Sequence, residues 1–375
     1  MRPAVVYGLL HAGLALTRGL GRSGLPVHGV TRDKREFGLR SRYLTERRIV
    51  ESDEQVLDYL RALPERPVLF PERDEQVAFV LRNWDAARDV ADMPLPDDPE
   101  IVVRLRRKDR LPAEGRAAGV AAPPTVLATD EEAIRQADLR PPLLVKAAEG
   151  QEFAQTLGEK AVVAADAEAA VSAWHRARDH GFEAIVQELV PDSHESVFSL
   201  LTYIGRDGDP LASMTGRKVR QRPLRFGTSA VFEAKHDPEV EEQGLRLLRH
   251  VGYKGFAHVE FAHDARDGAL KLLEVNTRLP IWAAIAIRRE FDLAAIAYDD
   301  LCGKPAASRA QMRDGATWVY LAKDVWVSAQ LARQRELRLR DFFAHYGRSR
   351  TVGAVFAADD PLPALASVAY LSSRV

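Results

Sequence analysis

Glu260, Glu274, Asn276 and Arg278 lie within one stretch, Gly255 to Arg278, that reads GFAHVEFAHDARDGALKLLEVNTR. Two alternating runs, Phe256 to Phe261 and Leu270 to Val275, flank Asp264-Ala265-Arg266-Asp267-Gly268. An Asp-Gly step between such runs signals a β-hairpin. Side chains alternate faces along a strand, so His258 and Glu260 are expected to share one face. Leu272, Glu274 and Asn276 are expected to share another. With the turn centred on Asp267, Glu260 pairs across the ladder with Glu274, and the Asn276 amide oxygen sits one step further on. Like charges directly opposite on a sheet destabilise it unless they are neutralised. A hard divalent cation does this, and Mg²⁺ at phosphoryl-transfer sites is held by one or two carboxylates plus phosphate oxygens. Arg278 would reach the same side and could hold an oxygen of a transferring phosphoryl group. Two acids on hairpin strands alone more often face water. The apolar opposite face (Ala257, Val259, Phe261, Leu273, Val275) is what points to a sheet packed on a core.

The elements that must position these groups can be read in order. Ala4 to Tyr7 reads as a strand, Gly8 to Arg22 as loop and helix, and Pro26 to Val30 as a strand, a βαβ opening of a parallel sheet. The glycines at 8, 13, 19 and 21 do not fall at GxGxxG spacing, so a dinucleotide fingerprint is absent. His11 and Asp74 sit at C-terminal ends of expected strands, where open α/β sheets bind ligands. His11 is a candidate substrate contact and Asp74 a candidate for a substrate amine. Ile101 to Arg110 is a basic helical segment ending before Pro112, most simply a solvated helix face with one Lys reaching a phosphate. Leu143 to Lys146 is a strand ending in a lysine. The Ala147 to Gly158 segment reads as a loop to the next strand, with Gly150 and Gly158 too few to make a phosphate cradle. A helix from Asp166 to His180, a strand from Ile185 to Val190 and a strand from Val197 to Ile204 follow. Gly216 to Arg222 places Lys218 and Arg220 on one face of an extended run. That cationic pair suits a triphosphate or a substrate carboxylate, although edge lysines that discourage aggregation would look the same. Phe226-Gly227-Thr228 reads as a tight loop facing that site. The basic cluster from Arg217 to Arg225 points to an acidic substrate, with Arg217 a candidate contact. After Cys302 little chemistry stands out: Trp318, Tyr320 and Trp326 read as packing residues and Asp359-Asp360-Pro361 as a terminal turn.

At 375 residues the chain is too long for one small core, and two to three domains are expected. Net charge is −1, so no global field draws it to nucleic acid or an anionic membrane. The single cysteine, Cys302, excludes an internal disulfide and a cysteine zinc cluster, and fits a reducing compartment. No run reaches the roughly 18 to 20 apolar residues of a membrane span. The chain reads as cytoplasmic, with no nucleic-acid or membrane partner.

The order of parts resembles the ATP-grasp superfamily, and within it the carboxylate–amine ligase branch that includes D-aspartate ligases. The resemblance covers nearly the whole chain. It rests on Lys108, LLVK ending at Lys146, QELV with Glu195 seven residues on, GRKVRQRP, FGT, and VEF followed by LLEVNTR. It implies an α/β fold, α+β in part, with a Rossmann-like N-terminal domain (1–105), a central lid (106–190), an antiparallel-sheet subdomain (191–305) and an extension packed on the core (306–375). By matched position, Lys108 and Lys146 would contact the α- and β-phosphates of ATP. Glu188, Leu189 and Val190 would offer backbone groups to adenine, and Glu195 would bind the ribose. Lys218 and Arg220 would face the γ-phosphate and acyl substrate. Glu260, Glu274 and Asn276 would hold Mg²⁺, or Mn²⁺ in its place, and Arg278 would stabilise an acyl phosphate. Lys160 also matches a lysine of this branch, without a role attached. The implied activity is ATP-dependent amide formation between a small-molecule acid and an amine, with an amino acid or peptide as the acid and ADP and phosphate released. A homodimer is the assembly common among such relatives. The rivals are an ATP-grasp carboxylase or carbamoyl-forming enzyme, and an ATP-binding module without turnover. The glycine-poor 147–158 segment departs from the family pattern.

Overall fold

The computed structural model describes residues 1–149, 152–191, 197–288, 291–304, 310–312, 314–346 and 351–372. Three sheets organise them. The first is a parallel four-stranded sheet in the order Glu46–Ile49, Val27–Thr31, Ala4–Tyr7, Val68–Pro71. Its central strand Ala4–Tyr7 is buried at every residue, as a strand covered on both faces must be. The helix His11–Arg22 follows, and its small residues let it lie close: a Cβ on Gly13 would stand 2.0 Å from the Gly8 carbonyl oxygen. The amides of this first turn do not wait for a phosphate. Leu9 N–H donates to Glu36 Oε2 at 2.6 Å and Leu10 N–H to Glu72 Oε2 at 2.8 Å.

The second sheet is antiparallel, in the order Thr125–Leu127, Ala184–Glu188, Leu143–Ala147, Val162–Ala164. The helix Ala167–Asp179 covers it, and the two share a separate apolar core that includes Val145, Phe153, Trp174 and Val186. Asp166 caps that helix by accepting from Ala169 N–H at 2.8 Å. The Ala147 to Gly158 segment is not an open loop, because the helix Glu152–Leu157 fills half of it. Helix formation explains why it is poor in glycine. The basic segment before this sheet also differs from expectation. Its helix, Pro99–Arg106, ends at Arg106, Arg107 turns extended, and Pro112 lies in the first turn of the next helix, Leu111–Ala117. Arg104, Arg107 and Arg110 are paired with Glu114, Asp109 and Glu100, so the run is largely charge-compensated.

The third sheet carries the hairpin. Its strands run Leu270–Asn276, Gly255–His263, Val197–Ile204, Pro210–Arg222, Thr228–Ala234, Thr317–Val319 and Thr351–Gly353, with Ala310–Gln311 beside Pro210–Arg222. The last strands therefore belong to the same sheet as the hairpin. One face buries Ala257, Val259, Phe261 and Val275 against the helix Pro238–His250. The other packs Leu201, Met214 and Phe232 with Val6 and Phe70 of the parallel sheet. Among the described residues no helix is long and apolar enough to cross a membrane.

The segment Asp359-Asp360-Pro361 is a fastener rather than a simple turn. Asp360 is buried, accepts from Arg18 Nε at 2.9 Å and from the Ser41 hydroxyl at 2.8 Å, and takes the Arg42 amide at 2.9 Å. Asp359 makes an exposed pair with Arg22. Removing one partner of a buried pair leaves the other charge unsolvated, whereas an exposed pair contributes little. Asp360→Ala should lower unfolding free energy by about 3–5 kcal/mol, and Asp359→Ala by about 1 kcal/mol or less, in urea titrations. Equal losses would contradict the assigned difference.

Candidate functional site

The three sheets meet around a cleft of about 850 Å³. The loops after the parallel strands contribute Leu10, His11 and Asp74, the second sheet Lys146 and Gln187 with Lys108 and Lys160 from the segments beside it, and the large sheet with its hairpin end Lys218, Glu260, Glu274, Asn276 and Arg278. The hairpin brings its acids together as its sequence implies, with Glu260 directly opposite Glu274 and His258 opposite Asn276. Beyond Glu260 the ladder slips by one residue, so Phe261 faces Leu272. That bulge turns Leu272 into the core and Leu273 towards the cleft, the reverse of simple alternation.

The acids are surrounded by cations. Lys218 Nζ lies 2.8 Å from Glu260 Oε1. Burial alone would raise the Glu260 carboxyl, but Lys218 and His258 hold it well below the usual carboxylate range. His258 is itself pushed down to about 4 by burial, and is neutral near pH 7. Its Nδ1 is 3.4 Å from Asn276 Nδ2 and its Nε2 3.2 Å from Ser199 Oγ. With the amide nitrogen given to His258, Asn276 keeps Oδ1 for another partner. Two carboxylates and an amide oxygen are a donor set that fits a hard divalent cation completed by phosphate or water oxygens. Among the described residues no group of three or more His, Cys, Asp or Glu forms a self-sufficient metal cage.

Arg278 Nη2 lies 2.5 Å from Asp74 Oδ2, and Arg106 is 3.6 Å from the other Asp74 oxygen. Burial alone would lower the Arg278 guanidinium, but Asp74 holds it above its ordinary value. Asp74 is thus a partner of Arg278 rather than a lone acceptor for an amine. Arg278 Nε and Arg106 Nη1 are buried without a hydrogen-bond partner, as are His11 Nε2 and Ser229 Oγ on the same cleft. Orphaned polar atoms clustered on one cavity indicate a polar ligand. Lys146 donates to Gln187 Oε1 at 3.0 Å, and burial with nearby Lys108 lowers it to about 8. His11, half-buried and pushed down to about 3 by desolvation, packs edge-on to Phe37 and against Tyr320.

Three expectations need correcting. Arg220 does not share a face with Lys218. The ladder shifts on both sides of Arg220, so strand alternation fails there and Gln221 lines the cleft instead. Arg220 turns away into a buried pair with Asp324, Nε to Oδ1 at 2.5 Å, under the Phe342 ring. Arg217 is half exposed and paired with Glu233 at 3.1 Å, outside the cleft. Glu188 and Leu189 line the cleft, but their amides donate to Pro124 and Pro142 carbonyls. Val190 is the one of the three whose amide no described residue takes. The Glu188 carboxylate accepts from Arg140 N–H and pairs with Arg266 of the hairpin turn. Glu195 lies outside the described residues.

Lys323 was not legible in the sequence. It sits in the helix Leu321–Arg333 and donates to Thr228 Oγ1 at 2.6 Å, beside the FGT loop that lines the cleft. A lysine followed by an acid near a helix start carries no distinguishing pattern. A second hollow of about 700 Å³ beside Arg32, Arg35 and Arg73 is internally compensated, because each arginine is paired with a carboxylate.

Residues 210–296 match the family described as carbamoyl-phosphate synthase L chain, ATP binding domain. The D-aspartate ligase of Enterococcus faecium is 26% identical over 98 residues, 26% of this chain and 23% of that protein. The large chain of carbamoyl phosphate synthase from Mycobacterium tuberculosis is 29% identical over 120 residues, 32% of this chain and 10% of that protein. The chain thus matches a quarter or less of the length of these curated relatives. Two solved structures extend the likeness to most of the fold. One is the biotin carboxylase domain of Hydrogenobacter thermophilus 2-oxoglutarate carboxylase, in complex with MgADP, ADP and bicarbonate. It has a TM-score of 0.67 and 16% identity, covering 84% of this chain and 73% of that one. The other is N5-carboxyaminoimidazole ribonucleotide synthetase in complex with ADP, with a TM-score of 0.67 and 15% identity over 89% and 85%. The chain thus has the fold of these ATP-grasp structures, and residues 210–296 also match the sequence of an ATP-grasp domain family.

Proposed function

We propose that the protein is an ADP-forming ligase that joins a carboxylate to an amine. The observation that carries this is Glu260 opposite Glu274 in one cleft with Lys146, Lys218 and Arg278. The D-aspartate ligase likeness supports it. Residues 1–105, 106–190, 191–305 and 306–375 act as N-terminal domain, lid, catalytic subdomain and extension.

A carboxylate resists attack by an amine at neutral pH, so activation must come first. A substrate carboxylate oxygen attacks the γ-phosphorus of ATP, the bond to the β–γ bridging oxygen breaks, and ADP departs. The amine nitrogen then attacks the acyl carbon, the carbon–oxygen bond to phosphate breaks, and the amine gives up a proton. Phosphoryl transfer depends mainly on positioning and on neutralising charge at oxygen. Lys108 and Lys146 hold the α- and β-phosphates from the lid, and Val190 meets adenine at the lid edge. Lys218 moves from Glu260 to the γ-phosphoryl oxygens, and Arg278, braced by Asp74, holds the acyl phosphate. Glu260, Glu274 and Asn276 would hold Mg²⁺, which when bound would supply neutralisation of phosphate charge. The lid closes over the cleft to exclude water, which would hydrolyse the acyl phosphate.

A second reading has bicarbonate as the acid, favoured by the carboxylase likenesses. ADP release measured with ATP, Mg²⁺ and panels of amino acids separates the two. Release that requires an amine with an organic acid supports the ligase, bicarbonate dependence supports the carboxylase, and no release with either overturns both.

Arg278→Ala should lower turnover roughly 10³-fold while changing ADP affinity far less. Comparable losses in both would contradict its role at the acyl phosphate. For Lys146, a lowered lysine is charged below about 8 and loses that charge above it. ADP affinity measured by calorimetry should therefore weaken as pH rises from 7 to 9. The inflection should vanish in Lys146→Met, and its persistence there would assign it to another group.

A further inference from the structure

The cleft extends past the opposed acids to the FGT loop, Phe226 to Thr228. Lys160 lines the cleft, and Lys323, hydrogen-bonded to the cleft-lining Thr228, feels both Lys160 and the exposed Arg222, with no carboxylate acting on it. Among the described residues none of the three ion-pairs with an acid. Lys323 is held by Thr228 Oγ1 at 2.6 Å and by the Tyr320 ring at 5.2 Å. Lys160 also feels Glu274, Glu260, Lys218 and Arg278, so it spans the interval between the opposed acids and Lys323. Two orphaned buried atoms, His11 Nε2 and Ser229 Oγ, face the same end of the cleft.

Cations brought together without counter-charge repel one another unless an anion joins them. The helix bearing Lys323 is pinned by its next residue, Asp324, through the buried pair with Arg220. This fixes Lys323 beside the cleft-lining Thr228 against that repulsion. Burial and these neighbouring cations lower Lys323 to about 8, so it remains largely charged at neutral pH.

We propose that the acid substrate carries a second anionic group, a carboxylate or a phosphate, bound by Lys323 and Lys160 at the FGT-loop end of the cleft. This rests on the ligase reading and specifies its acid as a dianion. The first carboxylate lies at Lys218 and Arg278 for activation, and the second anchors the molecule so that one end is presented. Lys323 is then a specificity-determining residue supplied by the C-terminal segment, and Arg220 is a positioning residue acting through Asp324.

Succinate and butyrate, matched in length and differing by one carboxylate, test this by titration calorimetry on the full chain. Wild type should bind succinate about tenfold or more tighter than butyrate. Lys323→Met should erase that ratio, and Lys323→Arg should keep it within about threefold. Ratios near one in wild type both for succinate over butyrate and for phosphoserine over serine, or an undiminished ratio in a Lys323→Met protein that melts like wild type, overturn the proposal. Phosphoserine set against serine separates a phosphate anchor from a carboxylate one, and a preference for either dianion over its monoanion supports the site. Mg²⁺–ADP titration in parallel keeps the two readings apart. Failure of wild type to bind it would sink the nucleotide reading, while the succinate ratio still decides the anion site.

Discussion

Two carboxylates held face to face on adjacent strands are the constraint from which the rest follows. Glu260 and Glu274 cannot both stay ionised in a partly buried cleft without nearby positive charge. Lys218 supplies it directly, and Lys146 and Lys160 act from the lid. The lid and the large sheet are thereby coupled through electrostatics across the cleft as well as through the Glu188–Arg266 contact. The same arrangement leaves cations in position for anionic ligands whenever the acids are neutralised by another partner.

Much of this was legible in the chain because the hairpin announces itself locally. Alternation, an Asp-Gly turn and flanking apolar residues are short-range signals, and the pairing of Glu260 with Glu274 followed from them. The misreadings occurred where periodicity breaks. Bulges at Arg220 and after Glu260 shift side chains by one face, and no residue type nearby marks them. The helix at Glu152–Leu157 has only its helix-forming residues to mark it, and a low glycine content does not by itself separate a short helix from a loop. Long-range partners were invisible for a different reason. Nothing in the sequence around Asp324 or Asp360 indicates that Arg220 and Arg18 complete them, since each pairing spans more than a hundred residues.

Buried charge is used here with consistent economy of partners. Asp74 braces Arg278, Asp324 braces Arg220, and Asp360 braces Arg18. The first stands on the cleft, the second sets a helix beside it, and the third joins the C-terminal segment to the parallel sheet. Each carboxylate fixes a guanidinium that would otherwise be free to swing, so the geometry at the centre depends on contacts made well outside it.

The Asp360 fastener has a consequence for how the protein is made. Its partners Arg18, Ser41 and Arg42 leave the ribosome more than three hundred residues earlier. The nascent N-terminal domain must therefore keep Arg18 hydrated, or shielded by another factor, until Asp360 has emerged. The helix bearing Lys323 likewise emerges after the opposed acids, so the wall it forms beside the FGT loop is built after them. A stalled or shortened chain would display the opposed acids and the lid while lacking that wall.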